Sequence, residues 1–205
     1  MHPMYQHPKP NDPALYQGDI IDRGELIHLN VLKGHQDYIA SRDDFPAFCV
    51  VSQSCDLVCD RCVDFITLAV VRHVSDVFDS TGNEKSLKTK LARLINHSND
   101  DKSGHFYLHR EPSIGIDEGA VVDLRVMFSL RSTLHYPQLV ASRKLSMTDT
   151  YANKLGWVAG YLFSRVPLKE WAELKMPETE EDVVNRLVGA IKRRGGPKLP
   201  HEKPL

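Results

Sequence analysis

Two hydrophobic periods divide the chain. Between residue 16 and about residue 145, apolar side chains come in short runs bounded by Gly, Pro, Asp or Asn, which is the pattern of strands. The runs predict strands at 18–21, 26–32, 47–52, 63–71, 105–109, 120–128 and 139–145. Positions 47–51 and 65–71 are apolar almost without interruption, as in central strands buried on both faces. By contrast, Val121-Val122-Asp123-Leu124-Arg125-Val126 alternates in part, which predicts one wet face nearer a sheet edge. A helix interrupts the strands at 84–97, where Leu87, Leu91, Leu94 and Ile95 recur at helical spacing among lysines and arginines.

Beyond Thr148 the period becomes helical. Tyr151, Leu155, Val158 and Leu162 form one stripe, with Gly156 and Gly160 open to close approach by another element. Pro167 ends that helix, residues 168–174 predict a short one, and Thr179 with Asp182 opens a last one carrying Val183, Val184, Leu187, Val188 and Ile191. The expected organisation is a single α+β domain, mainly β, over 16–192. A β barrel over 16–145 with the helical insertion 84–97 is closed by a helical cap over 146–192. Pro3, Pro8, Pro10 and Pro13 make residues 1–15 an extended arm, and 193–205 reads as a flexible basic tail.

Composition narrows the class. With 205 residues, one core is expected rather than two. The 26 basic and 27 acidic residues leave a net charge of −1, so no global field favours nucleic acid and any such site must be local. No apolar run approaches the length of a membrane span, and the N-terminus lacks the layout of a signal peptide, so the expected location is cytoplasmic. In a reducing compartment the 4 cysteines, all between positions 49 and 62, would be metal-binding, reactive or buried rather than disulfide-bonded.

Cys55, Cys59 and Cys62 form C-x3-C-x2-C. This spacing resembles the cluster loop of radical S-adenosylmethionine enzymes, but too little chain follows for their long βα series, and a strand comes next where a helix is required. The other metal reading is zinc, held by Cys55, Cys59 and Cys62 with His73 or Cys49 as fourth ligand. The alternative to both is no cofactor, with Cys49 packed in a central strand. His105 and His109 fall on one face of their strand, as a metal or phosphate pair would.

A wider window changes the emphasis. The run Phe48-Cys49-Val50-Val51-Ser52-Gln53-Ser54-Cys55-Asp56-Leu57 resembles a group of poorly characterised bacterial proteins in which an apolar strand ends in Ser/Thr-Gln-x-Cys-Asp-Leu/Ile. The segment from Val140 to Tyr151, leading into a helix that ends near Ser164-Arg165-Val166, is the second similarity. In layout the group is similar to PemK/MazF-type toxins, through Gly18-Asp19-Ile20, the Pro-led strand at 46–52, the strand at 65–71 and Gly119-Ala120-Val121-Val122. That resemblance implies a small SH3-like, PemK-like barrel that binds or cleaves RNA, in a toxin or anti-phage defence setting. Asp43-Asp44-Phe45 stands where those toxins carry a basic residue, and Thr67 or Ser75 is the counterpart of their strand-end Ser/Thr.

RNA cleavage requires a base, an acid and a cation for the phosphate. Asp19, Asp56, Arg72, His73, Arg131 and Arg143 are the residues of suitable type. Cys55, Asp56 and Arg143 are the expected catalytic set, and Arg72, Arg131 and Arg143 the expected nucleic-acid contacts. A non-enzymatic alternative uses the glycine-bearing helix and the proline arm to dock a partner protein or a second copy of the chain.

Overall fold

Alternation within the apolar runs becomes the two faces of one sheet. The computed structural model describes residues 1–35, 39, 41, 43–58, 64–78, 83–96, 103–164 and 180–194. Its strands are β1 (Tyr5–Gln6), β2 (Asp19–Asp22), β3 (Ala47–Val50), β4 (Phe65–His73), β5 (His105–Leu108), β6 (Ala120–Arg131) and β7 (Arg143–Met147). They form one seven-stranded sheet in the order β1-β7-β2-β3-β4-β6-β5, antiparallel throughout. β3 and β4 are central, as their continuous apolar runs require. Gly18 opens β2 at φ 85°, where a Cβ would lie 2.9 Å from Met147 Cβ, so both the backbone and the contact demand glycine.

The sheet curls into a half-barrel. β1 and β5 are its opposite edges, yet the Tyr5 hydroxyl donates to the His109 carbonyl just past β5, at 2.7 Å. Every strand contributes to the concave core, which includes Tyr5, Ile20, Cys49, Ala69, Val71, Phe106, Val122 and Leu145. Helix α6 (Asp149–Ser164) fills it with Tyr151 and Leu155 of the stripe its sequence predicts and with Ala159, while Val158 and Leu162 of that stripe pack against it partly buried. Burying one such leucine contributes about 2 kcal/mol.

The convex face carries two further cores. One, including Ile21, Phe48, Val50, Ile66 and Leu68, lies under α1 (Arg23–His28), α2 (Ser54–Val58) and α5 (Ser132–Ala141). The other joins Val121 and Tyr107 to α3 (Val74–Val77), α4 (Glu84–Ile95) and α7 (Glu180–Arg194). Helix α4 is the expected insertion, capped by Asn83, whose side chain accepts from the Lys85 amide at 2.9 Å. Residues 168–174, Cys59, Cys62 and the tail beyond Arg194 lie outside the described residues.

Three local expectations are corrected. Residues 26–32 do not form a strand: Asp22 caps α1 by accepting from Glu25 N–H at 2.8 Å, and Asn30 ends it at φ 56°. The bonds Asn30 N–H to Ile27 C=O and Val31 N–H to Leu26 C=O, both 2.9 Å, make that end a Schellman motif. Residues 139–145 straddle the end of α5 and the start of β7, with the Ser142 hydroxyl bonded back to Gln138 C=O at 2.8 Å. Val121 to Leu124 are buried on both faces, because α7 covers the side that alternation left polar. Of the two glycines of α6 (Asp149–Ser164), Gly156 admits Gln17, whose Oε1 would lie 2.6 Å from a Cβ, whereas a Cβ on Gly160 would meet nothing within 4 Å.

The proline-bearing arm packs on its own barrel. Met4 and Leu15 are fully buried, β1 pairs with β7, and Thr148 N–H donates to Met4 C=O at 2.9 Å. Among the described residues no helix is long and apolar enough to cross a membrane.

Candidate nucleic-acid interface

The first half of β4 pairs regularly with the last part of β6: Phe65 opposite Arg131, Thr67 opposite Ser129, Ala69 opposite Met127. The intervening Ile66, Leu68, Phe128 and Leu130 point into the convex core. Period two therefore puts Phe65, Thr67, Ser129 and Arg131 on the concave side, in line with Ala69. At this end the concave face is open: Phe65 is 52% exposed, Ser129 and Arg131 are exposed, and Thr67 is half-buried. The Thr67 and Ser129 hydroxyls lie 3.2 Å apart, and Ser52 Oγ accepts from Thr67 N–H at 2.9 Å, tying the end of β3 to the same place.

An aromatic face, a guanidinium and two hydroxyls on a rigid sheet are the means by which proteins stack a base and hold its phosphate. None of the four side chains is of the kind that removes a 2′-hydroxyl proton.

The structure separates the expected catalytic residues. Cys55 and Asp56 sit exposed in α2, with the thiol 3.6 Å from Gln53 Oε1 and 3.8 Å from Asp56 Oδ1. Arg143 is interior, its side chain only 4% exposed. It donates to Asp19 Oδ2 at 3.3 Å, to Asp12 C=O at 2.9 Å and to Ala14 C=O. Asp19, fully buried, also accepts from Ser146 Oγ at 2.6 Å and from Tyr16 N–H at 2.8 Å. Burial pushes the Asp19 carboxyl up, and these bonds with the Arg143 charge oppose it. Arg143 thus rivets the segment leading into β2. Its link to the cysteine helix is indirect, through Gln17 N–H donating to Ser54 Oγ at 3.0 Å.

Arg72 is likewise committed. It lies 3.4 Å from Asp123 and donates to Asp76 C=O at 2.9 Å. Asp123 is completely buried and also meets His105 Nε2 at 3.6 Å, Arg125 Nε at 3.0 Å and Arg125 Nη2 at 3.1 Å. Burial alone would raise its carboxyl, but the bonds and charges of His105 and Arg125 outweigh that and hold it far below the usual carboxylate range. This ionic cluster was not foreseen. Its sequence signal was the acid inside an apolar run, two positions before Arg125.

Of the expected nucleic-acid contacts, only Arg131 faces the open patch. Thr67 lies beside it, whereas Ser75 is buried in α3. Phe65, the aromatic of the patch, was visible in sequence only as the start of an apolar run. His73 ends β4, roughly 20 Å along the strand from Thr67 and so from the Cys55 helix, and these two do not converge on one metal. His105 turns to Asp123 while His109 stacks on His2, so that pair also does not act together. Cys49 is buried in the concave core, and burial followed by the Asp19 charge drives its thiol far up. Among the described residues no group of three or more His, Cys, Asp or Glu could hold a metal ion. No known family model, curated protein or solved structure significantly matches the chain.

Proposed function

We propose that the protein binds single-stranded RNA on the open end of its concave sheet, with Phe65 stacking on a base, Arg131 pairing with a phosphate, and Thr67 and Ser129 bonding to the strand between them. The observation that carries this reading is the β4–β6 register, which sets these four side chains side by side and exposed. The finer SH3-like, PemK/MazF-like reading of the barrel is supported by strand order. β2, β3 and β4 form a meander continued by β6, and the last strand, β7, returns to lie beside β2. Binding rather than cleavage is favoured because Cys55 and Asp56 stand apart from the buried Arg143.

Fluorescence anisotropy with a labelled oligouridine tests the proposal. Phe65→Ala should weaken binding by about 1–3 kcal/mol. Arg131→Ala should weaken it less and lower the salt slope by about one. Wild-type protein that fails to bind, or binding that survives both substitutions, would defeat the proposal.

One observation favours a second reading. Leu134 is 60% exposed, and Ser132 N–H donates to Asp64 C=O at 2.9 Å, which brings the start of α5 close to Phe65. An apolar pair of this kind suits a second protein surface. Sedimentation of a dimer that Leu134→Glu dissociates, without any effect of RNA, would favour that reading.

A further inference from the structure

The second half of β6 has a strand beside it on one side only. β5 pairs with β6 no further than Asp123, whereas β4 follows it to Arg131. The bonds of β4 fix which backbone groups this leaves open. Thr67 turns both of its groups toward β3: its C=O accepts from Val51 N–H at 2.9 Å, and its N–H donates to Ser52 Oγ at 2.9 Å. Asp64 turns the other way and accepts from Ser132 N–H at 2.9 Å. Successive strand residues alternate in the edge to which their N–H and C=O point, so Ile66 and Leu68 bond to Leu130 and Phe128 opposite them. The intervening Met127, Ser129 and Arg131 therefore turn N–H and C=O away from β4, toward the side that β5 does not reach. Among the described residues no hydrogen bond takes up these groups, and Ser129 and Arg131 are exposed.

An exposed strand with an open ladder is a template for another strand, and proteins ordinarily cover, bend or shorten such an edge. This edge fits a second copy of itself. In an antiparallel pairing about a two-fold axis at Ser129, that residue meets its own equivalent, and Met127 of each copy lies opposite Arg131 of the other. Each pair then exchanges both of its N–H···O=C bonds. On the concave side the Thr67 and Ser129 hydroxyls, 3.2 Å apart within one copy, continue into the same pair of the other, and each guanidinium lies against a methionine rather than a like charge. Sliding the register by two residues breaks the hydroxyl row and leaves one bonded pair without a mate. The convex side adds an apolar contact. Leu134, 60% exposed near the start of α5, and Val126, half-buried against the convex core, flank opposite ends of the edge, so the axis carries Leu134 of one copy toward Val126 of the other.

We propose that the protein forms a symmetric dimer by pairing the 127–131 edge of β6 with the same edge of a second copy, antiparallel about Ser129, to give one sheet running through two half-barrels. The pairing uses backbone groups and keeps the side chains of Phe65, Thr67 and Arg131 on the concave side, so it does not rest on RNA binding and does not compete with it.

Sedimentation equilibrium of the full chain, without RNA, provides the first test and should show a dimer that dissociates on dilution. Ser129→Pro removes the central N–H, which no bond within the monomer uses, and should leave a folded monomer with its thermal midpoint little changed. Leu134→Glu should weaken the dimer several-fold. Amide exchange followed by NMR reads the register: Met127, Ser129 and Arg131 should exchange fast in dilute protein and slowly where the dimer forms, while Phe128 and Leu130 stay protected throughout. Should Ser129→Pro fail to fold, that alternating pattern in the wild-type chain decides alone. A chain that stays monomeric at NMR concentrations, a dimer that survives Ser129→Pro, or a dimer in which Met127, Ser129 and Arg131 still exchange fast would overturn the proposal. So would an added extended peptide that protects those amides while the chain remains monomeric, since the edge would then belong to a different partner. A monomer that binds RNA would defeat this proposal alone, and a dimer that does not bind RNA would defeat only the RNA reading.

Discussion

At one end of the β4–β6 ribbon Val121, Val122 and Asp123 are buried, and Arg72, His105 and Arg125 converge on one carboxylate. At the other end the same two strands, in the same antiparallel pairing, leave Phe65, Ser129 and Arg131 in the open. Strand chemistry does not separate them. What differs is cover: α7 and α4 close the first end on its convex side and α6 on its concave side, whereas among the described residues no helix packs on the concave face of the second end. A charge under cover becomes a structural partner, and a charge in the open stays available to a ligand.

The largest contrast should come from the buried carboxylate. Asp123→Ala leaves Arg72 and Arg125 without their counter-charge and should cost about 3–5 kcal/mol in urea unfolding. A loss below 1 kcal/mol would mean that the sealed end is no more demanding than the open one. Acid should also attack the sealed end first. The unfolded chain protonates His109 near pH 6.5, while the folded chain resists until about 3, so stability should be full above pH 6.5 and fall as pH drops toward 3. The slope from this residue is at most about 1.4 kcal/mol per pH unit, and His109→Phe should flatten it.

Phe65→Ala sharpens the comparison from the other side. Removing a half-exposed ring should cost under about 1 kcal/mol of stability while depressing RNA binding, a split that circular dichroism and anisotropy would register. The smallest effect is expected for Ser129→Ala, within about 0.5 kcal/mol in stability, against Asp123→Ala on the same strand.

Much of the fold was legible because burial follows period. The continuous run in β4, the helical stripes Leu87-Leu91-Leu94 and Tyr151-Leu155, and the apolar positions of α7 all fell where their spacing placed them. The failures were local contests. Ile27, Leu29 and Val31 looked like a strand because they are apolar and β-prone, but the Asp22 cap and the left-handed Asn30 decided for a helix, and Ile27 and Leu29 remain exposed. The site was less legible than the fold. Cys55-Asp56 stood out by motif and Arg143 by charge, yet one pair ended on the surface and the arginine in the interior. Arg131 was identified by its charge, while its aromatic neighbour across the strand was not, since cross-strand pairing cannot be read from either strand alone.

The sequence by itself determined the central place of β3 and β4, the helical insertion, the stripes of α6 and α7 and the apolar faces, because these depend on periods within a few residues. Tertiary structure alone decided the curl that brings Tyr5 to His109, the rows that set Phe65 beside Arg131, and which arginines are consumed by Asp19 and Asp123. Those outcomes depend on register and cover between segments far apart in the chain, and a charged residue carries no local mark of whether a helix will later close over it.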